Sequence, residues 1–420
     1  MIENNGFEKI YHNNHNVFIL GAGFSVDAGL PTMKDFMTAM RRTLSWASDN
    51  NQKQTKEDIS HVLSLRLSSA SAAHRCKINP NNIEDLFSLY DGLSGEGANT
   101  YNRLKMQRAI SATLEHCMTE NRSSGPAVSM HIPSYGKTLL EDKYLSGLPK
   151  NKDNANACVI PLYDAYAAIF SNMYSVGNSS TKDIKNSIIS FNYDTLLEES
   201  LERIGAKFNI GIASNLDKQI SSDYSHISFD EEFHGLQLLK LHGSTNWAIS
   251  KSDRCETCYD IYVFRTASEL FAAQKPLDQL ILEPPTWNKG RSAAILHGLW
   301  QKAISAIRTA TRIYIIGYSL PQSDMHFKYL MAAGLSDNIS LEQIVYVNPA
   351  FDNETDNQSL RGRLFDIFRE EHELDGTIKL LPGKAQDFIL APGGSRHINA
   401  NLFPFYMYPE LDHSFFQQYL

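Results

Sequence analysis

The stretch Val17-Phe18-Ile19-Leu20, followed at once by Gly21-Ala22-Gly23, most restricts what this chain can fold into. Four consecutive apolar residues have no polar face, so as a strand they must be covered on both sides, as in the middle of a parallel sheet. The glycine turn, the small residue Ser25 and the run Ala28-Gly29-Leu30-Pro31 then read as the passage from that strand into the N-terminus of a helix. Such a terminus offers unpaired N–H groups and partial positive charge, and glycine lets the backbone approach a phosphate without a Cβ in the way. Similar turns occur in βα units that bind nothing, so the remaining chain has to supply the rest of a nucleotide site.

Further apolar runs follow at Ser187–Phe191, Leu236–Leu241, Ile261–Phe264, Leu280–Leu282, Ile313–Ile316, Ile344–Val347 and Ile378–Leu380. Helical patterns separate several of them, at about 195–204, 293–309, 325–333, 360–369 and 385–389. Strands alternating with helices predict an α/β fold: a Rossmann-like, doubly wound parallel sheet covered on both faces. Residues 1–36 and 181–390 are expected to form this sheet domain, with 37–180 inserted into it and 391–420 as a C-terminal extension. The insertion reads as mainly helical. Phe36, Met37, Met40 and Leu44 recur about once per turn, Ile59 to Leu67 suggests a second helix, and Asn81-Asn82 caps a third with Glu84 and Asp85 in its first turn. Ala109–Met118 makes a fourth, Thr119–Asn156 reads as a long connection with little regular structure, and Pro161 opens a helix through Tyr174.

At 420 residues, 42% hydrophobic and 20% charged, the composition is that of an ordinary soluble globular protein. The formal charge of -8 argues against broad electrostatic binding to nucleic acid, and Arg41-Arg42 is either a local basic patch or a solvated helix face. Met1–Asn16 lacks the apolar core of a signal peptide, and no run approaches the length of a membrane span. Five dispersed cysteines do not form a secreted disulfide framework, so a reducing cytoplasm is the expected location.

In open parallel sheets ligands bind beyond the C-terminal strand ends. The informative residues are therefore Gly21-Ala22-Gly23, Asn192 with Asp194, His242-Gly243, Gly317 with Ser319, and Asn348. Each has an ordinary alternative: Asn and Asp make Asx turns or cap helices, and a histidine before glycine can be a turn residue. Five such strand ends expected on one edge make a shared site the better reading.

These residues also bear a family likeness. Gly21-Ala22-Gly23-Phe24-Ser25 through Ala28-Gly29-Leu30-Pro31 resembles the first signature of the sirtuins, Phe191-Asn192-Tyr193-Asp194 their Gln-Asn-x-Asp segment, and Leu241-His242-Gly243 their catalytic His-Gly. Gly317-Tyr318-Ser319-Leu320 and Val347-Asn348 resemble the later segments that hold the pyrophosphate and adenosine ribose, in the same order. Ser190–Glu198, Lys240–Trp247 and Glu283–Lys289 resemble more closely the SIR2-like branch found in bacterial anti-phage systems.

The resemblance implies NAD+ as substrate, with Gly21, Ala22, Gly23, Ser25, Gly29, Pro31, Gly317, Ser319 and Asn348 binding it. Asn192 would orient the nicotinamide ribose and a water, Asp194 would shape the nicotinamide pocket, and His242 would be the general base. It further implies NAD+ hydrolysis to ADP-ribose and nicotinamide as a defence that arrests an infected cell, a homo-oligomer, and a partner such as a HerA-like ATPase. The insertion and the tail, rich in Phe403, Phe405, Tyr406, Tyr408, Phe415 and Phe416, are candidates for holding the enzyme off; the tail aromatics are equally readable as core anchors. Two departures separate the chain from the deacylases. Thr32-Met33-Lys34 stands where sirtuins carry Asp-Phe-Arg, and Cys255-x-x-Cys258 is only half of their zinc ribbon, so no metal is expected. A protein deacylase or ADP-ribosyltransferase is the second reading, and a non-catalytic sensor of NAD or ADP-ribose the third.

Overall fold

A computed structural model describes residues 14–69, 74–76, 78–93, 96–121, 126–131, 142–149, 157–173, 184–213, 215, 217–230, 232–273, 279–284, 293–321 and 325–389. In chain order the strands are β1 (Asn14–Leu20), β2 (Ala127–His131), β3 (Ala157–Pro161), β4 (Ile184–Ser190), β5 (Phe208–Asn209), β6 (Lys218–Ser222) and β7 (Ile227–Ser228). They continue as β8 (Leu236–Lys240), β9 (Gly243–Lys251), β10 (Tyr259–Val263), β11 (Gln279–Leu282), β12 (Arg312–Ile316), β13 (Gln343–Val347) and β14 (Ile378–Leu381).

Eight of these form one sheet in the order β14-β13-β12-β1-β4-β8-β5-β7. Every neighbouring pair in it is parallel, which gives the α/β architecture that the alternation of apolar runs predicts. The all-apolar run at its centre is buried as expected: Val17, Phe18 and Ile19 have no exposure, and the Phe18 ring lies 5.2 Å from Tyr314 and 4.6 Å from Phe170. Phe170 ends the helix Leu162–Phe170, all of whose residues are buried. A helix apolar on every side belongs in an interior, and this one also ties down the turn after β1, since the Tyr163 hydroxyl donates to Phe24 O at 2.7 Å.

β1 has β4 on one side and β12 on the other, so the chain leaves it in one direction and returns on the opposite side. That reversal is a topological switch point, where the loops beyond neighbouring strands diverge and open a crevice.

Several expectations need correction. No α-helix follows the glycine turn directly: Ala22–Phe24 and Val26–Ala28 are successive 3-10 turns, and the α-helix begins at Phe36. Gly29, in the left-handed region at φ 80°, ends the second turn, and Pro31 two residues later cannot donate to a continuing helix. The stretch 119–156 holds more regular structure than its polar composition suggests. Its start belongs to the helix Glu96–Asn121, β2 pairs antiparallel with β3, and Asp142–Ser146 is helical. Pro161 closes β3, and the next helix starts at Leu162.

The runs at Ile261–Val263 and Leu280–Leu282 are strands but lie outside the parallel sheet. They belong to a four-stranded sheet of order β11-β9-β10-β6, in which β9 is antiparallel to both neighbours. Gly243 starts β9 with φ 77°, a conformation that turns the chain sharply away from β8. Cys255 and Cys258 form a disulfide on that sheet, and among the described residues no cluster of histidine, cysteine and acidic side chains is placed to hold a metal. No helix among the described residues is long and apolar enough to cross a membrane. The aromatic tail 391–420 and most of Glu283–Lys289 lie outside the described residues.

Candidate functional site

Beyond the ends of β1, β4, β8 and β12 lies an open cleft. Ala22, Ser25 and Pro31 line it from the β1 side, Phe191 to Asp194 from β4, His242 from β8, and Tyr318 with Ser319 from β12. The sequence thus brings together Ala22, Ser25, Pro31, Asn192, Asp194, His242 and Ser319 in one place. Gly21, Gly23, Gly29, Gly317 and Asn348 do not line it.

The glycines act one layer behind the wall. Gly317, at φ 63°, backs onto the β1 turn so closely that an added Cβ would sit 2.3 Å from Phe24 N, and Gly23 N donates to Gly317 O at 2.7 Å. A Cβ on Gly23 would in turn fall 2.8 Å from Gly317 Cα. Glycine is required here because two turns pack backbone to backbone. The same packing alters the expected phosphate cradle. The amides of Gly21, Gly23, Phe24 and Ser25 donate to Ile316, Gly317, Gly21 and Ala22 carbonyls, so none of the four is open toward a ligand. Asn348 accepts from Ala350 N at 3.0 Å and donates to Tyr318 O at 3.3 Å, which makes it a turn cap that steadies the β12 loop.

Ser25, Asn192 and Asp194 form a buried network. Asn192 Nδ2 donates to Gly21 O at 2.9 Å and to Ser25 Oγ at 3.1 Å, while Ser25 Oγ donates to Asp194 Oδ2 at 2.9 Å. Asp194 Oδ1 accepts from Leu196 N at 3.2 Å, so Asp194 also satisfies the first N–H of the helix Leu196–Arg203. With both N–H groups of Asn192 committed, its carbonyl oxygen is the atom left for a ligand, and an acceptor there suits a hydroxyl or a water. His242 is 7% exposed, its ring 5.1 Å from Phe191 in an edge-on contact. Its backbone carbonyl accepts from Glu283 N at 2.9 Å, and Trp300 Nε1 holds the preceding carbonyl of Leu241 at 3.2 Å.

Sequence reasoning did not find the far wall. Met33, Phe36, Glu84 and Leu114 line the same cleft: Phe36 opens the helix Phe36–Asp49, and Glu84 and Leu114 come from the helices Ile83–Leu93 and Glu96–Asn121 of the insertion. Phe36 supplies an aromatic ring to this wall three residues beyond Met33. The described lining contains the carboxylates Glu84 and Asp194 and neither lysine nor arginine. Nothing local marks Glu84 as a wall residue, because its place depends on how the insertion folds back over the sheet.

Fold and site together describe an α/β protein with a largely apolar cleft, carrying a few polar groups, at the C-terminal edge of a parallel sheet. No family model and no curated protein matches the chain. Among solved structures it is similar to a Sir2 enzyme, at 12% identity, with 95% of this chain and 98% of that one covered and a TM-score of 0.37. It is also similar to a mutant Sir2 homologue in complex with ADP-ribose, at 12% identity, 95% and 97% coverage and a TM-score of 0.40. A third is a Sir2 homologue in complex with NAD, at 13% identity, 95% coverage of both chains and a TM-score of 0.34.

Proposed function

We propose that the chain is an NAD+ glycohydrolase that cleaves NAD+ to ADP-ribose and nicotinamide. The observation that carries this reading is the meeting of Asn192, Asp194 and His242, from the ends of two neighbouring strands, in one cleft that also holds Ser25 and Ser319. The two carboxylates and the lack of lysine or arginine in the described lining suit a cationic nicotinamide ring. As the bond from ribose C1′ to the ring nitrogen breaks, the pyridinium takes the bonding pair and leaves neutral, and positive charge moves to the ribose. Water forms the new C1′–O bond. The Asn192 carbonyl orients that water or a ribose hydroxyl, His242 accepts the proton, and Asp194 holds Ser25 and the loop in place. An imidazole with an ordinary pKa of roughly 6.5 is a suitable base near neutral pH.

The same reading assigns 1–36 and 181–390 to the catalytic unit and gives 37–180 control of the cleft, which its helices wall. Homo-oligomerisation, a HerA-like ATPase partner, a cytoplasmic setting and NAD+ depletion in anti-phage defence follow from the sequence resemblance and belong to the same proposal. The test is product analysis with NAD+ alone and with an acylated peptide added. Equal amounts of nicotinamide and ADP-ribose, independent of peptide, are expected; release that requires the peptide would refute hydrolysis in favour of deacylation.

A further inference from the structure

Lys240, the last residue of β8, is 1% exposed, two residues before His242. A buried lysine demands an account, because its ammonium has lost the water that ordinarily solvates it. Its Nζ donates to Glu198 Oε1 at 2.8 Å and to Ser244 Oγ at 2.7 Å, and also to the backbone carbonyls of Asp194 and, at 3.3 Å, Tyr193. Two successive peptide carbonyls therefore turn inward onto one cation. Glu198, 2% exposed, supplies the counter-charge from the helix Leu196–Arg203. Burial pushes its carboxyl above the usual range while Lys240 opposes that shift.

The geometry points to Lys240 as a positioning residue: by clamping the Tyr193 and Asp194 carbonyls beneath the loop, it holds the Asn192 and Asp194 side chains in the cleft. The peptide planes of this loop are set from below, where neither substrate nor solvent reaches. Only a long side chain with three donors can serve the Asp194 carbonyl, Glu198 and Ser244 together from the end of β8. A neutral apolar residue would fill the space and take the lysine's donor away from the Asp194 carbonyl, letting that peptide turn and carry the Asp194 side chain and its neighbour Asn192 with it. Tyr193 O also accepts from Thr245 N at 3.0 Å, Thr245 Oγ1 at 3.2 Å and Ser244 Oγ at 3.3 Å, so the neighbouring Asp194 carbonyl is the one that depends on Lys240. This inference rests on the proposed hydrolysis for its kinetic readout, and on backbone exchange for a readout that does not.

The experiment compares wild type with Lys240→Met, Lys240→Met/Glu198→Leu and Glu198→Gln in the full chain. Thermal midpoint, kcat and KM for nicotinamide release, and amide hydrogen exchange are measured for each. Lys240→Met strands a buried carboxylate and is expected to lose both stability and activity. The double variant replaces the ion pair with apolar side chains and is expected to regain most of the midpoint. Its kcat is expected to remain about 100-fold down, the scale of a misplaced reacting group, with KM changed by less than about 5-fold. Its amides at 192–195 are expected to exchange about 10-fold faster than wild type. A double variant with wild-type kcat and unchanged exchange overturns the clamp. Glu198→Gln keeps the carbonyl contacts and is expected to stay within about 3-fold of wild-type kcat, whereas a loss of about 100-fold there would assign the effect to the ion pair instead. Should the double variant fail to fold, Glu198→Gln decides between the two. Wild type that releases no nicotinamide either alone or with a partner ATPase present refutes the hydrolysis reading, and the exchange arm then judges the clamp by itself.

Discussion

Replacing Gly317 by alanine is the smallest change that tests how the cleft is framed. At φ 63° an alanine pays the left-handed penalty of about 1 kcal/mol. Its Cβ would also lie 2.3 Å from Phe24 N and 2.5 Å from Gly23 C. Both are backbone atoms that cannot rotate away, so the two turns must separate, at a further cost of about 1–3 kcal/mol. The expected loss is therefore about 2–4 kcal/mol, read as a lower denaturant midpoint at constant slope in urea unfolding. Gly298 and Gly362 provide the control. Each lies within a helix, Ala293–Arg308 or Glu354–Phe365, and a Cβ at either meets nothing within 4 Å. Alanine there is expected to stabilise by about 0.5–1 kcal/mol, through higher helix propensity and a less flexible unfolded chain. One chemical change should thus have opposite signs at different sites. A Gly317→Ala variant as stable as wild type would refute the backbone-to-backbone packing of the β1 and β12 turns.

Two other outcomes are expected. Burial, helped by the nearby charge of Lys185, lowers the pKa of His15 from 6.5 to about 3, with its ring between Thr309 and Ser187. The unfolded chain binds a proton near pH 6.5 that the folded protein refuses until about pH 3, so this contribution is intact above pH 6.5 and lost as pH falls. The loss is about 1.4 kcal/mol per pH unit once the unfolded histidine is protonated. Unfolding free energies of His15→Gln and wild type between pH 7 and 4.5 should differ by that slope, and parallel curves would contradict it. The Cys255–Cys258 disulfide spans three residues on an exposed turn, and so short a closed loop is worth about 2 kcal/mol at most. Cys255→Ser should lower stability by no more than that and leave nicotinamide release unchanged; a larger loss, or lost activity, would give this turn a role in the site.

Most of the site's near side was legible in the sequence because parallel strands place their exits together. Once β1, β4, β8 and β12 were read as apolar runs, Asn192, Asp194 and His242 followed as the polar residues at those exits. The Gly21-Ala22-Gly23 turn was located correctly, but the reason for its glycines was not visible. Gly317 is almost three hundred residues away in sequence, and only the tertiary fold shows that the two turns share one space. The second sheet was concealed for a related reason. β9 starts directly after His242 and is buried along most of its length, so it lacks the alternation that marks a half-exposed strand. Lys240 and Glu198 read as ordinary charged residues, since nothing in a local pattern says that two of them will be buried face to face. Glu84 and Leu114 reach the cleft only because the insertion folds back onto it.

The central claim is that Asn192 and His242 act on NAD+ held in this cleft, and the most direct measurement is nicotinamide release from NAD+ by the purified full chain. Wild type, Asn192→Ala and His242→Ala should be compared at matched thermal stability. Wild type is expected to release nicotinamide and ADP-ribose in equal amounts, and each variant to be slower by about 100- to 10,000-fold, the range for a removed general base or its partner. Release that survives both substitutions, or saturable NAD+ binding by wild type with no nicotinamide formed even at high enzyme concentration and with a partner ATPase present, would contradict the account.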